Sequence, residues 1–371
     1  MVVATFLYLC TRMTREEAII TRMHNQQLIL PQFDKAEDIV GWMGMLQAQD
    51  YKHFRWAIAM RTQHPRIGSL KEAFADGRII RTHLFRCTVQ AVLPTDYAWM
   101  AEICRERNLR AVKSWQKTSN IQFSECLYKD CIAAICELLT GGKSMSKAEI
   151  GNQLATLGFT LSSQELKQVL LRGEIDSLLC SGEMNGKDAT WALVSERIPL
   201  SYRQYWEPQL PALARKYFQS HSPASFEDFC WWTGLPISQN RKAVEQISAE
   251  LEKIKVGDQE MFLYIANDRL APQVLNPAVH LLPPYDEYLI GYKSRWIAVD
   301  SRHEAKAYNR SGNFWPVILN DGKVVGNWAA LKKGDSTTIG TEIFSDKKGV
   351  RKTELKSAVS SYRNALQAEK Q

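Results

Sequence analysis

Apolar residues recur at helical spacing from Thr14 onward. Thr14 with Glu17 three positions later has the form of a capping box and opens the first predicted helix. A second is predicted over 35–45, with Ile39, Trp42 and Met43 on one face. The polar stretch 47–52 breaks that pattern, and a third helix follows with Phe54, Trp56, Ala57 and Met60. Ser69 is read as the cap of a short helix through Leu70, Ala73 and Phe74 that ends at Gly77. Residues 79–93 are β-branched and alternating enough for two strands.

The plan of helices followed by a hairpin then recurs. In the second copy, a helix over 126–139 stops at Gly141 and Gly142. Ser146 and Glu149 form another capping box, Ser163 opens the next helix, and 178–181 with 189–194 make a hairpin around 182–186. In the third, helices are predicted over 205–218, from Ser225 with Asp228, and over 238–251, the last two joined by Thr233-Gly234-Leu235. A hairpin of 254–256 and 261–265 turns at Gly257-Asp258. Three helices with a glycine-containing turn and a hairpin describe a winged helix-turn-helix. Small three-helix bundles use the same turn, so the repetition carries more weight than one copy. After residue 269 short strands dominate. Asn320-Asp321-Gly322 between apolar runs is a hairpin signal, and 350–368 reads as a closing helix with Leu355, Val359, Tyr362 and Leu366 on one side. Its basic residues Lys347, Lys348, Arg351, Lys352 and Lys356 read as a solvated face. The expected fold is α+β, mainly helical: three tandem winged helices over 14–122, 123–200 and 201–268, then a small β-barrel-like domain over 269–371.

Composition narrows the function classes. With 45% hydrophobic and 23% charged residues, the 371-residue chain is an ordinary packed protein and not a disordered or low-complexity one. Lys and Arg number 47 against 40 Asp and Glu, a net charge of +7, which mildly favours an anionic partner. No apolar run spans a bilayer, so no membrane partner is expected. Residues 2–10 are apolar apart from Thr5. They lack a preceding basic residue and a small-residue cleavage site, so they read as a strand or an extension and not as a leader. The eight cysteines include no C-x-x-C pair and no neighbouring His cluster. They read as buried free thiols, three of them (Cys126, Cys131, Cys136) on one helix, in a reducing cytoplasmic compartment; no metal or cofactor is expected.

Nucleotide-binding glycine loops, metalloprotease and serine-hydrolase motifs are all absent. Three strings stand out: Met45-Leu46-Gln47-Ala48-Gln49-Asp50; Arg81-Thr82-His83-Leu84-Phe85-Arg86-Cys87-Thr88-Val89-Gln90 running on to Asp96; and Leu281-Leu282-Pro283-Pro284-Tyr285-Asp286-Glu287-Tyr288 running on to Lys293 and Arg295. In their order and separation they resemble the AlkZ/YcaQ-like winged-helix DNA glycosylases, over about residues 14–345. The resemblance implies removal of alkylated bases from duplex DNA. It also implies a catalytic signature of Gln, an apolar residue, then Gln or Asp, matched here by Gln47, Ala48 and Gln49. Where many of that family carry a His, this chain has Gln90, which hydrogen-bonds but cannot shuttle a proton.

The chemistry can be weighed on its own terms. Cleavage of an N-glycosidic bond passes through an oxocarbenium-like sugar, which needs a placed water and negative dipole density beside it. An N7- or N3-alkylated purine is already cationic and leaves as a neutral base, so no strong acid is required. Two glutamine carbonyls can hold water and face the cation, but an amide is no base near neutral pH. Gln47 and Gln49 share a side only on extended backbone, because i and i+2 diverge on a helix; the competing reading makes them polar caps between helices. Asp50 reads as the N-cap of the next helix, and His53 as a partly buried structural residue. Arg81, His83 and Arg86 fall in the first wing as DNA contacts, with a salt bridge to Asp50 or Asp96 as the competing reading. The family resemblance implies that Tyr285, Asp286 and Tyr288 shape the lesion-facing side of the cleft; the competing reading is that Pro283-Pro284 and Asp286 only make a turn. Trp231 and Trp232 read as core. The expected protein is a monomer. The alternative function is a winged-helix DNA-binding regulator without catalysis, against which 69–77 offers Lys71 and Glu72 but no dense Arg run.

Overall fold

The computed structural model describes residues 11–119, 121, 124–184, 189–203, 209–267, 279–333, 336–344 and 350–367. Their elements begin with β1 (Thr11–Met13) and α1 (Arg15–Asn25). Then come α2 (Ala36–Met43), β2 (Leu46–Gln47), α3 (Tyr51–Ala59), α4 (Ile67–Ala75), β3 (Ile80–His83), β4 (Val89–Val92) and α5 (Pro94–Thr118). Next are α6 (Glu125–Leu139), β5 (Met145–Ser146), α7 (Lys147–Thr156), α8 (Ser163–Ile175), β6 (Leu179–Ser181), β7 (Thr190–Leu193), α9 (Val194–Arg197) and α10 (Leu200–Arg203). The remainder runs α11 (Leu210–His221), α12 (Phe226–Thr233), α13 (Ile237–Gln246), β8 (Leu251–Val256), β9 (Gln259–Tyr264), β10 (Val279–Leu282) and α14 (Glu287–Ile290). It closes with α15 (Glu304–Ala307), β11 (Val317–Asn320), β12 (Lys323–Lys333), β13 (Ser336–Ile343) and α16 (Lys352–Gln367). The class is mixed α+β with small open sheets.

Two compact units share the chain. The first is built on Phe33–Gln209, with Thr233–Pro236 and the stretch from Asn364. It holds two antiparallel three-stranded sheets, β2-β4-β3 and β5-β7-β6. Ile39, Val40 and Met43 of α2 pack with Phe54, Ile58, Leu70, Phe74 and Ala91 in one core cluster. Cys131, Ile132, Ile135, Ile150, Leu154 and Val169 form a second. The other unit combines the segment ending at Gln32 with Leu210–Trp232 and Ile237–Arg363. Its sheets are β1-β8-β9, in which β1 lies parallel to β8, and β10-β11-β12-β13.

Several local expectations correspond to what is seen. Thr14/Glu17 and Ser146/Glu149 are capping boxes, and Ser225 and Asp228 exchange the same pair of bonds. Asp321 and Gly322 both have positive φ, as a two-residue hairpin turn between β11 and β12 requires. Other expectations need correction. The C-terminal strands form no closed barrel: among the described residues they are an open antiparallel sheet in sequence order. β10 and β11 have only four residues each, and the distal half of β12 pairs with β13 alone, so too little strand is present to tilt and close. Ser69 lies inside α4 and bonds back to the Arg66 carbonyl, so it is not the cap. Helix α8 does open at Ser163, capped by the preceding Ser162 in a box with Glu165. Helix α11 runs Leu210–His221, with 205–208 of the expected helix outside the described residues, and Leu251 already belongs to β8. Cys126 is exposed; the seven described cysteines are free thiols. Residues 2–10, the 185–188 part of the second hairpin tip, and Lys347 and Lys348 lie outside the described residues.

Gly322 shows how tightly the second unit is packed. A Cβ there would sit 2.3 Å from Ile19 Cγ2, 2.7 Å from Met23 Sδ and 2.9 Å from the Tyr288 hydroxyl, at φ +72°. Gly322→Ala is expected to cost about 2–4 kcal/mol, from overpacking together with left-handed strain. A urea-unfolding midpoint equal to wild type would contradict this.

Candidate active site

Gly44, at φ +79°, ends α2 and releases the chain into an extended course. Leu46 and Gln47 then pair with Ala91 and Gln90 of β4, and the Ala48 N–H donates to the Val89 carbonyl at 2.9 Å. Asp50 caps α3, accepting from the His53 backbone N–H at 3.1 Å and meeting the His53 ring at 2.8 Å. The bond from His53 holds the Asp50 carboxyl below the usual range. Gln47 and Gln49 thus both lie outside helix. Their surroundings differ. Gln47 is 8% exposed, and its Oε1 accepts from the Ala48 N–H at 3.2 Å. Gln49 lies beyond the last strand residue with its side chain exposed.

Arg81, read as a wing contact, points inward along the motif. Its Nε donates to the Ala48 carbonyl at 2.7 Å and its Nη2 to the Gln49 carbonyl at 3.1 Å. Burial draws its pKa down, against the pull of Glu174, Tyr51 and Asp50. The Tyr51 ring lies near both the Arg55 (4.9 Å) and Arg81 (5.8 Å) guanidinium groups.

The other wing residues are also occupied within the protein. The His83 ring meets Glu174 Oε2 at 2.8 Å, and the same oxygen accepts from the His83 N–H (2.9 Å) and the Thr82 hydroxyl (3.0 Å). Trp191 Nε1 donates to Glu174 Oε1 at 2.8 Å. Glu174 is 7% exposed. Burial alone would raise its pKa, but the charge and hydrogen bonds of His83, with the Trp191 bond, bring it below the ordinary value. Arg86 is half-buried at φ +59° in the 85–87 turn, and its Cγ lies 2.8 Å from where a Gly234 Cβ would be. Gln90 is buried; it accepts from the Phe85 N–H at 3.0 Å and donates to the Phe85 carbonyl at 3.3 Å, closing the wing loop. Burial pushes the Cys87 thiol up to about 12, so it stays protonated at neutral pH.

In the other unit, Tyr285 turns at φ +60°, its hydroxyl 3.4 Å from Asn313 Oδ1 and its ring 5.9 Å from Phe314. Asp286 is 3% exposed and caps α14 by accepting from the Tyr288 N–H at 2.9 Å. Its carboxylate therefore has a structural occupation. Trp232 is fully buried, but Trp231 is part-exposed under the Arg295 guanidinium.

The model of the family described as DNA glycosylase AlkZ-like matches residues 40–364. This chain belongs to the AlkZ-like DNA glycosylase family. That makes its family one of hydrolases of N-glycosyl bonds. The interstrand DNA cross-link repair glycosylase of Streptomyces sahachiroi is 24% identical over 322 residues, covering 83% of this chain and 85% of that one. The solved structure of the Streptomyces sahachiroi DNA glycosylase AlkZ superposes with a TM-score of 0.78 at 19% identity, over 96% of this chain and 97% of that one, which establishes a shared fold.

Two groups of this AlkZ-like chain escaped sequence reasoning. Glu174 lies near the end of α8 between Arg172 and Asp176, so in sequence it reads as one of several charged residues and nothing local marks it as buried. Its partner, 91 residues earlier, had no local mark. Fully buried Asp228 accepts from the Lys293 (2.9 Å) and Ser294 (3.0 Å) N–H groups with Arg22 3.9 Å away, yet its capping role alone was readable. Among the described residues no cluster of His, Cys, Asp and Glu could hold a metal, and no helix is long and apolar enough to cross a membrane.

Proposed function

We propose that this chain hydrolyses the N-glycosidic bond of cationic, N7- or N3-alkylated bases in duplex DNA, with Gln47 and Gln49 placing the water. The observation that carries this is the non-helical Gln47–Gln49 segment, pinned by β4 on one side and gripped by Arg81 on the other. The neighbouring Asp50 is occupied as a helix cap, which leaves the two amides as the polar groups of the motif. Amides suit a leaving group that needs no proton. Gln90 is tied to the Phe85 backbone and serves the wing loop in place of a proton carrier.

The repeated helices with the sheets β2-β4-β3, β5-β7-β6 and β1-β8-β9 support three winged-helix modules, with Tyr285 and Arg86 as contacts to DNA. The name of the Streptomyces relative brings cross-linked DNA forward as a second substrate to test. A monomer is the proposed form.

The deciding assay is base release from duplex DNA containing N7-methylguanine, with Gln47→Ala and Gln49→Ala variants beside wild type. Release by wild type that both variants lose supports the reading. Binding without release from any alkylated or cross-linked duplex replaces it with a DNA-binding protein. Affinity should also fall steeply with salt, since each phosphate contact releases counterions. Each contact contributes about −0.9 to the log–log slope, so a protein making several contacts loses on the order of 10²-fold or more between about 50 and 200 mM salt. A flat salt titration would point to a protein or small-molecule partner.

A further inference from the structure

We propose that Arg81 is a positioning residue for hydrolysis, acting through Gln49; this rests on the reading of Gln49 as part of the catalytic pair. Gln49 has an exposed side chain beyond the end of β2, so little packing aims its amide. Its direction is set instead by the two peptide units that flank its Cα. The one before it contains the Ala48 carbonyl, and the one after it contains the Gln49 carbonyl. Arg81 holds both, through Nε at 2.7 Å and Nη2 at 3.1 Å. The Ala48 N–H is held in turn by the Val89 carbonyl at 2.9 Å. With both flanking peptides fixed, the backbone torsions of Gln49 are fixed, and with them its Cα–Cβ direction.

The sheet explains how an arginine on β3 can do this. Leu46, Ala91 and Arg81 stand in register across β2, β4 and β3. The central residue is an alanine, whose methyl leaves room for the arginine stem to cross on the shared face. The Arg81 N–H donates to Ser181 Oγ at 3.0 Å, which anchors the base of the lever in the neighbouring hairpin. The rigid guanidinium plane sets Nε and Nη2 apart to match the two carbonyls; a lysine has three donors, but on one nitrogen at the end of a flexible stem, so it holds the pair less firmly. Catalytic groups displaced by about 1 Å lose roughly 10²-fold in rate, so a grip of this kind acts on the chemical step.

The test compares wild type, Arg81→Ala, Arg81→Lys, Gln49→Ala and the Arg81→Ala/Gln49→Ala double variant. The readouts are single-turnover release of N7-methylguanine and duplex affinity across a salt series. Arg81→Ala is expected to slow release about 10- to 100-fold with affinity within about 3-fold of wild type and the salt slope unchanged. Arg81→Lys, which keeps the charge and stem and guards against a folding defect, is expected to stay at least about 5-fold slow. The double variant should be no slower than Gln49→Ala alone, because both changes disable the same amide. A salt slope reduced by about one with the rate retained would make Arg81 a phosphate contact and overturn the proposal. A wild-type rate in Arg81→Lys, or losses that multiply in the double variant, would overturn it too. A slow Gln49→Ala beside a fast Arg81→Ala defeats this inference alone, whereas a Gln49→Ala variant at the wild-type rate defeats the glutamine reading first.

Discussion

Replacing Gln49 by Ala should lower single-turnover release of N7-methylguanine by roughly 10²-fold or more, the usual scale for removing one preorganised polar group from a transition-state site. In the proposed role the amide carbonyl presents its dipole to the sugar as that becomes cationic, from a backbone that Arg81 holds in place. Alanine leaves that face without a partner, and water must supply the missing dipole from a disordered state. DNA affinity should hardly change, because phosphate contacts elsewhere supply most of it. Gln49→Asp has a different expected outcome. A carboxylate keeps the acceptor, adds charge and can take a proton from water, so the rate should hold and the range of leaving groups should widen. An Ala variant as fast as wild type would remove Gln49 from the chemistry. An Asp variant as slow as Ala would show that the amide N–H₂ is also required.

Glu174→Ala should have the largest effect on stability. The carboxylate receives the Thr82 hydroxyl, the His83 backbone N–H, the His83 ring and the Trp191 indole. Removing it strands these donors where little water reaches them. Hydrogen bonds to a charged group contribute about 1.5–3 kcal/mol each and are not additive, so a loss of about 3–4 kcal/mol is expected. The pH dependence has a definite sign. The folded-state pKa of Glu174 lies below its ordinary value of 4.5, so the contribution is fully present above that pH. It is lost as pH falls below 4.5 through the folded value, when the native carboxylate takes up its proton. Wild type should therefore destabilise more steeply in that acid window than Glu174→Gln. Parallel urea midpoints from pH 6 to 3 in the two proteins would refute this assignment.

What could be read along the chain was what the chain decides locally. A serine or threonine with an acid three residues on sees its partner within one turn, so the boxes at Thr14 and Ser146 were legible. Asn320-Asp321-Gly322 was legible because a two-residue hairpin needs positive φ at both positions. The 25-residue α5 was missed although Pro94 stands at its first turn. Among its buried positions Tyr97, Met100, Ala101, Cys104, Asn108 and Val112 keep helical spacing, but buried Asp96, the polar Asn108 and the charged residues between them blur the stripe. Strand β2 has two residues and owes its existence to β4, more than 40 positions later, which no window of local sequence contains. The motif glutamines were noticed by resemblance and residue type. The guanidinium that holds the Ala48 and Gln49 carbonyls could be named only as a wing arginine, because backbone acceptors carry no side-chain signature.

The division of the chain into nested segments bears on synthesis. One unit is largely the continuous stretch Phe33–Gln209, while the other needs the segment ending at Gln32 together with residues beyond Leu210. Strand β1 pairs through Thr11 with Ile254, and Arg15 on α1 bonds the Ile297 carbonyl 282 residues away. At about 5–20 residues per second, the ribosome exposes these first elements for on the order of ten seconds or more before their partners exist. Helix α1, with Ala18, Ile19 and Met23 destined for burial, spends that interval unpartnered ahead of an inserted unit that can already collapse. The glutamine-bearing loop can therefore be complete on a nascent chain whose other unit is still open, and chaperone demand should concentrate on β1 and α1.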